Sequence, residues 1–426
     1  MQPSRPHPFF MPLEKPGCLC RRKGSERDVK VTSRSKVMPV ELTVRPDRQG
    51  YIVEDATAGE FYEMSEPSVQ ALQRMREGLS LEAIEEELSA RFPDEEIDMI
   101  GFAEQLLELK LVAELDGIPV RGESDSERSA NAKPLKSGGF GWISEPFARF
   151  WFHPVMRLLY VSVIIMNIAL FIAKPGLFPQ YRDVFLFESM ALNSLIWLGI
   201  SFVLLMLHEL GHIMAVRSFG LPAKLGIGHR FLFVVFETEM DGVWRLTPKQ
   251  RNRAYLAGAG MDQVMLLLCL AVQFALPGEP GFVAKLAAFA ALDLVVKLVF
   301  QCCFYMKTDL YYVVENGTGC YNLMERSREW LAVKLRGRGG DPARAIEERA
   351  VKWYAVFYAA GYVFTLGMIA LFFAPQLIVS LTTVIPRLAF PAEGGPFWDA
   401  VVFLAECIGL GALLLYSWIK SRRNAV

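Results

Sequence analysis

The sequence predicts a mainly α protein, a polytopic helical membrane bundle of about six spans, preceded by a small α+β winged-helix N-terminal domain. Three observations predict it. Hydrophobic residues make up 52% of the 426 positions and mean hydropathy is +0.26, above the usual soluble balance. Six apolar runs after residue 150 approach the ~20 residues that a helix needs to cross about 30 Å of hydrocarbon. Before them, three short strand-like segments are followed by three short helical patterns.

Residues 1–39 are rich in Pro, Arg, Lys and Ser, lack the apolar core of a secretory signal, and read as a disordered cytoplasmic arm. Cys18 and Cys20 lie in this arm with no second Cys/His pair nearby, so they read as solvated thiols. The seven cysteines are scattered and form no disulfide framework. Segments 41–45, Tyr51–Asp55 and Glu60–Met64 read as strands, the first two joined by a turn over 47–50. Ser65 or Ser68 caps a helix carrying Val69, Leu72 and Met75, and Ser80 caps one carrying Leu81, Ile84 and Leu88. A third helix is expected over 97–111, with Ile100, Leu106, Leu107 and Leu111 as its stripe. This domain spans 40–116. Its helices carry Glu82, Glu85, Glu86, Glu87, Glu104 and Glu108, which repel phosphate, and the whole chain has a net charge of −1; no nucleic-acid partner is expected.

A polar stretch over 117–149 reads as a linker, and 150–426 as the membrane-embedded domain. Its spans are placed at 158–173, 191–216, 254–276, 286–306, 353–373 and 397–419. Seven Lys and Arg lie from Arg217 to Arg253 and nine from Lys307 to Lys352, whereas the other connections carry only Lys174, Arg182, Lys285 and Arg387. The two basic loops are therefore expected on the cytoplasmic side, and an even span count puts both termini there too. The expected location is a bacterial inner membrane.

Within the second span stands His208-Glu209-Leu210-Gly211-His212. Positions four apart share a helix face, so the two imidazoles can hold one zinc ion while Glu209 deprotonates a water. Burying these groups in apolar sequence costs several kcal/mol, on the order expected for unpaired ions, unless a metal compensates. Asp309 follows the fourth span, which ends on the same face, and a His, His, carboxylate set leaves a fourth position open for water. His229 is the competing third ligand, since the remaining histidines are only His7 and His153. Imidazole and carboxylate ligands suit Zn2+.

Segments 231–239 and 243–246 read as a hairpin turning at 240–242, either a structural element or an edge for an extended substrate. Asp293 and Lys297, four apart, are expected to neutralise each other, and Asp262, Gln263 and Glu406 to make structural hydrogen bonds.

Residues 51–64, 79–84 and 106–112 resemble the PqqD-like peptide-recognition domain over roughly 40–116. That resemblance implies binding of a peptide leader segment as an added strand; the alternative is a regulatory winged helix without a peptide ligand. The segment bearing His208, Glu209 and His212, together with Asp309, resembles the site-2 protease class of intramembrane zinc metallopeptidases over roughly 150–420. The resemblance implies His208, His212 and Asp309 as metal ligands and Glu209 as the catalytic base. Asp309-Leu310-Tyr311-Tyr312 is similar to peptide-maturation members, although Leu310 stands where Gly is usual and no Asn-Pro precedes. Gly258 and Gly260 resemble the family's small-residue opening of the third span.

The expected function is that of a zinc metalloendopeptidase acting at a cytoplasm-facing site on a membrane-associated or ribosomally made peptide. Regulated cleavage of a membrane-tethered regulator is a second enzymatic reading, but the outer connections are short. A non-proteolytic peptide-binding or export component with a structural metal site is the rival from another class.

Overall fold

The computed structural model describes residues 10–12, 31–120, 139–230, 233–240, 242–276, 281–335, 345–391 and 394–424. Cys18, Cys20, most of the expected arm and the middle of the expected linker lie outside them. The chain divides into two units, 1–137 with 241–248, and 138–240 with 249–426.

In the first unit, β1 (Phe10–Pro12), β2 (Val37–Pro39), β3 (Thr43–Pro46), β4 (Tyr51–Asp55) and β5 (Glu60–Met64) precede α1 (Glu66–Arg76), α2 (Leu81–Arg91) and α3 (Met99–Glu108). Then come β6 (Val112–Leu115) and β7 (Ile118–Pro119). The expected arm thus contributes two strands: β1 extends a sheet of order β1-β5-β4-β3, and β2 pairs with β6 in a second sheet, β2-β6-β7. Val53, Tyr62 and Met64 face Leu72, Met75, Ile84, Phe102 and Leu106, each no more than 3% exposed, and this apolar cluster is the unit's core. The third helix is shorter than its apolar stripe suggests. Asp98 caps it by accepting from the Gly101 amide at 2.8 Å, and Lys110, at φ 61°, turns the chain left-handed just past its end.

Residues 243–245 form a 3₁₀ turn, not the expected strand. Gly242, at φ 85°, bends the chain out of extended geometry before it can pair. Arg245 Nε instead donates to Glu54 Oε1 at 2.7 Å, and Arg45 Nη2 lies 3.1 Å from Glu54 Oε2. Glu54 is 2% exposed, so its charge is held by two guanidinium groups in place of water.

The second unit is mainly helical. It contains α4 (Glu145–Trp151, inside the expected linker), α5 (Pro154–Ala173) and α6 (Met190–Ser218), followed by a hairpin of β8 (Lys224–Arg230) and β9 (Phe233–Glu239). Next are α7 (Pro248–Tyr255), α8 (Ala257–Ala275), α9 (Phe282–Gln301), α10 (Asp309–Thr318), α11 (Leu323–Leu335), α12 (Ala345–Met368), α13 (Ala374–Val384) and α14 (Gly395–Asn424). The partner of β9 is therefore the segment before it, in register Lys224↔Glu239 to Arg230↔Phe233.

Five helical stretches are long and apolar enough to cross a membrane: 154–173, 190–218, 248–275, 349–371 and 395–416. They make this a membrane protein. The expected fourth span, α9, has the length but carries Lys285, Asp293 and Lys297, so five stretches stand where six were expected. Lys297 Nζ meets Asp293 Oδ2 at 2.7 Å, as their spacing predicts. Leu204 of α6, Leu266 and Leu270 of α8, and Ala291 and Leu294 of α9 form the apolar core of the three helices. At the far end of α6, Asp399 of α14 accepts from the Ala191 amide at 3.0 Å, placing a carboxylate at the helix N-terminus.

Glu54→Ala removes the acceptor shared by Arg45 and Arg245 and costs about 2 kcal/mol, as expected for charge-assisted hydrogen bonds. Faster amide exchange over 243–246 in the full-length protein is the expected readout.

Candidate metal centre

His208 and His212 are one turn apart on α6, whose apolar residues form a continuous helix through the bundle. Asp309 is the first residue of α10, after a tight connection from the end of α9. In that connection Lys307 takes φ 53°, and the Thr308 hydroxyl donates to the Gln301 carbonyl at 2.7 Å. Gln301 then clamps Asp309 from both sides. Its Nε2 donates to Asp309 Oδ2 at 2.8 Å and its Oε1 accepts from the Asp309 amide at 3.1 Å.

The three side chains meet. His208 Nε2 lies 3.0 Å and His212 Nε2 lies 3.3 Å from Asp309 Oδ2, and the two nitrogens are 3.2 Å apart. All three residues are buried. The other face of each ring fixes its tautomer. His208 Nδ1 is 2.8 Å from Asp262 Oδ2, and His212 Nδ1 is 2.8 Å from the Ala254 carbonyl oxygen. Both neighbours are acceptors, so both Nδ1 atoms carry protons and both Nε2 lone pairs point into the cluster. Two lone pairs and a carboxylate oxygen thus converge with no donor among them, and a divalent cation satisfies all three at once. Their spacing fits, because ligand atoms at 2.0–2.1 Å around a tetrahedral zinc are about 3.3 Å from one another. Imidazole and carboxylate donors suit zinc among the common divalent metals.

Farther along α10, burial pushes the Glu315 carboxyl up to about 7. Glu315 Oε1 accepts from the Tyr311 hydroxyl at 2.8 Å and from the Leu323 amide at 3.1 Å, which ties α10 to the start of α11.

Close backbone packing makes room for the cluster. A Cβ on Gly211 would lie 2.7 Å from the Ala257 carbonyl oxygen, so α6 and α8 touch through a glycine. A Cβ on Gly258 would lie 2.4 Å and 2.5 Å from the Nε2 atoms of His212 and His208. Gly258 therefore keeps open the volume onto which the ligand atoms face.

Glu209, also buried, accepts from the Thr238 hydroxyl of β9 through Oε2 at 2.7 Å. Among the described residues no group donates to its Oε1. The structure thus brings His208, Glu209, His212 and Asp309 to one place. His229 pairs through its backbone with Val234 in the hairpin, and the placement of its side chain lies outside what the structure describes. Asp262, expected to make a structural hydrogen bond, makes one to His208. Gln301 and Thr238 escaped sequence reasoning. Gln301 carried a faint signal, a polar side chain closing an apolar run eight positions before Asp309; Thr238 carried none. Gln263 and Glu406 have the expected structural bonds, to Asn167 and Ser194 respectively.

Compared with protein-family models, with curated proteins and with solved structures, the chain finds no match.

Gly258→Ala is expected to abolish metal retention in a protein that still folds, measured as metal content per chain after purification. Asp262→Asn keeps the ring contact but weakens its charge, and a metal affinity about 10- to 100-fold lower is expected in a chelator competition.

Proposed function

We propose that this protein is an intramembrane zinc metallopeptidase that hydrolyses a peptide bond of a membrane-associated or ribosomally made peptide. The observation that carries the reading is Glu209: a carboxylate with one oxygen unengaged among the described residues, directly adjacent in sequence to a cluster of three possible metal ligands, a number that leaves a tetrahedral ion one position for water. A purely structural metal site has no use for such a group.

In this reading His208, His212 and Asp309 hold the metal, with Asp262, the Ala254 carbonyl and Gln301 orienting them. Bound zinc supplies Lewis acidity, polarising a carbonyl and lowering the pKa of a water toward about 7. Glu209 takes the proton from that water and returns it to the leaving amine, the general acid–base role its position allows. The β8–β9 hairpin offers an edge on which substrate can lie extended, as cleavage requires, because a helical peptide bond is shielded by its own hydrogen bonds. The sheet and helices of 40–116 are read as a PqqD-like winged-helix domain that captures a leader segment as an added strand. Basic loops at 217–253 and 307–352 support a cytoplasm-facing site with both termini on that side, in a bacterial inner membrane, with α9 crossing as a sixth, charge-paired helix.

The test compares wild type, Glu209→Gln and Asp309→Ala in native membranes, reading metal content together with cleavage of co-expressed candidate peptides by mass spectrometry. Wild type holds metal and cleaves; Glu209→Gln keeps the metal and loses about 10²- to 10⁴-fold in rate; Asp309→Ala loses both. Processing by Glu209→Gln at the wild-type rate would turn the reading to a peptide-binding membrane component with a structural metal.

A further inference from the structure

A general base must present one oxygen to its water, yet a glutamate has three rotatable side-chain bonds, and α6 fixes none of them beyond the first turn of neighbours. Something outside the helix has to hold the carboxylate. Resting on the hydrolytic reading above, we propose that Thr238 is the positioning residue of the base, so that strand β9 sets the orientation of Glu209.

Thr238 Oγ1 lies 2.7 Å from Glu209 Oε2 and 3.4 Å from the Glu209 carbonyl oxygen. A hydroxyl has one proton, and the shorter contact to the carboxylate oxygen takes it. That bond occupies Oε2 and leaves Oε1 for the proton transfer. It is the single side-chain hydrogen bond to Glu209 among the described residues. Thr238 is 3% exposed and Glu209 is 5% exposed, so bulk water does not compete with the contact.

The threonine is itself held. Its β-branched side chain has few rotamers, and its backbone is paired with Leu225 in the β8–β9 register. Two residues earlier, on the same face of the strand, the Phe236 ring meets Phe202 of α6 edge-on, with centroids 5.9 Å apart. Phe202 and Glu209 are seven apart, on one face of α6. The strand therefore docks on the helix at two points, one apolar and one at the base.

Residue chemistry at this position is selective. Glu237 and Glu239 flank Thr238, and alternation along the strand turns them to its other face, where Glu239 pairs with Lys224 at 2.9 Å. A carboxylate at 238 would repel Glu209, and a lysine or arginine would hold it ionised and blunt it as a base. A neutral hydroxyl orients it without either effect.

The experiment uses full-length zinc-loaded protein in detergent and the peptide that wild type cleaves in the screen above, with Thr238→Val, Thr238→Ser, Glu209→Gln and the double variant Thr238→Val/Glu209→Gln. The valine is an isostere without the donor and should keep the wild-type zinc content. It should lower kcat about 100-fold with KM unchanged, the size of loss that a misplaced catalytic group produces. Serine should recover most of that loss. Amide exchange over 235–239 should rise in Thr238→Val and stay near wild type in Glu209→Gln, whose side-chain carbonyl still accepts from the Thr238 hydroxyl, while the double variant should match Thr238→Val. Wild-type kcat in Thr238→Val, or loss of its zinc, overturns the positioning role. A wild type that cleaves nothing overturns the hydrolytic reading instead, and unchanged exchange in Thr238→Val then shows separately that the bond does not hold the strand.

Discussion

Two imidazole lone pairs and a carboxylate oxygen converge within 3.0–3.3 Å in the buried part of the bundle, and none of the three offers a proton to the others. Left to themselves these groups repel, and burying them unsatisfied in an apolar interior is expensive. A bound cation turns the same arrangement from repulsive to attractive. Every local feature around it serves that balance. Asp262 and the Ala254 carbonyl hold the Nδ1 protons, Gln301 grips Asp309 through both side chain and backbone, and two glycines bring the backbones together without intruding.

The bundle is organised so that α6 can deliver its histidines at this depth. Its N-terminus is held by Asp399, its middle by leucines of α8 and alanine and leucine of α9, and its ligand-bearing turn by direct contact with the glycine-rich opening of α8. The Asp293–Lys297 pair neutralises charge on α9 in the same bundle, and the Lys297 ammonium also donates to the Ser201 carbonyl of α6 at 3.0 Å. Asp293 and Lys297 are thus paired inside the bundle, and a cation among His208, His212 and Asp309 would satisfy that cluster in the same way.

Much of the fold was legible in sequence wherever a pattern is local. Tyr51–Asp55 and Glu60–Met64 are short runs rich in aromatic and β-branched residues beside turn residues, and both strands occur at the expected bounds. Ser65 marks a helix start that its side chain does cap, whereas Ser80 stands at the start of α2 without a side-chain cap bond. Apolar runs located five of the membrane-capable helices, since length and hydropathy are properties of one segment. Pairing was harder. β9 was recognised as a strand but given the wrong partner, because hairpin logic looked forward across Gly242, where the chain forms a 3₁₀ turn, while the preceding strand β8 is the one that pairs.

By itself the sequence determined that a helix would carry His208, Glu209 and His212 on neighbouring positions, because a 3.6-residue repeat is written into the spacing. It also narrowed the third ligand to Asp309 or His229. The tertiary structure alone placed Asp309 beside the two imidazoles, and it alone brought Asp262, Gln301 and Thr238 to the site from three other elements. The reason is physical: a ligand and its helix partner share one local geometry, whereas an orienting hydrogen bond depends on how separate segments pack, and no spacing along the chain encodes that distance.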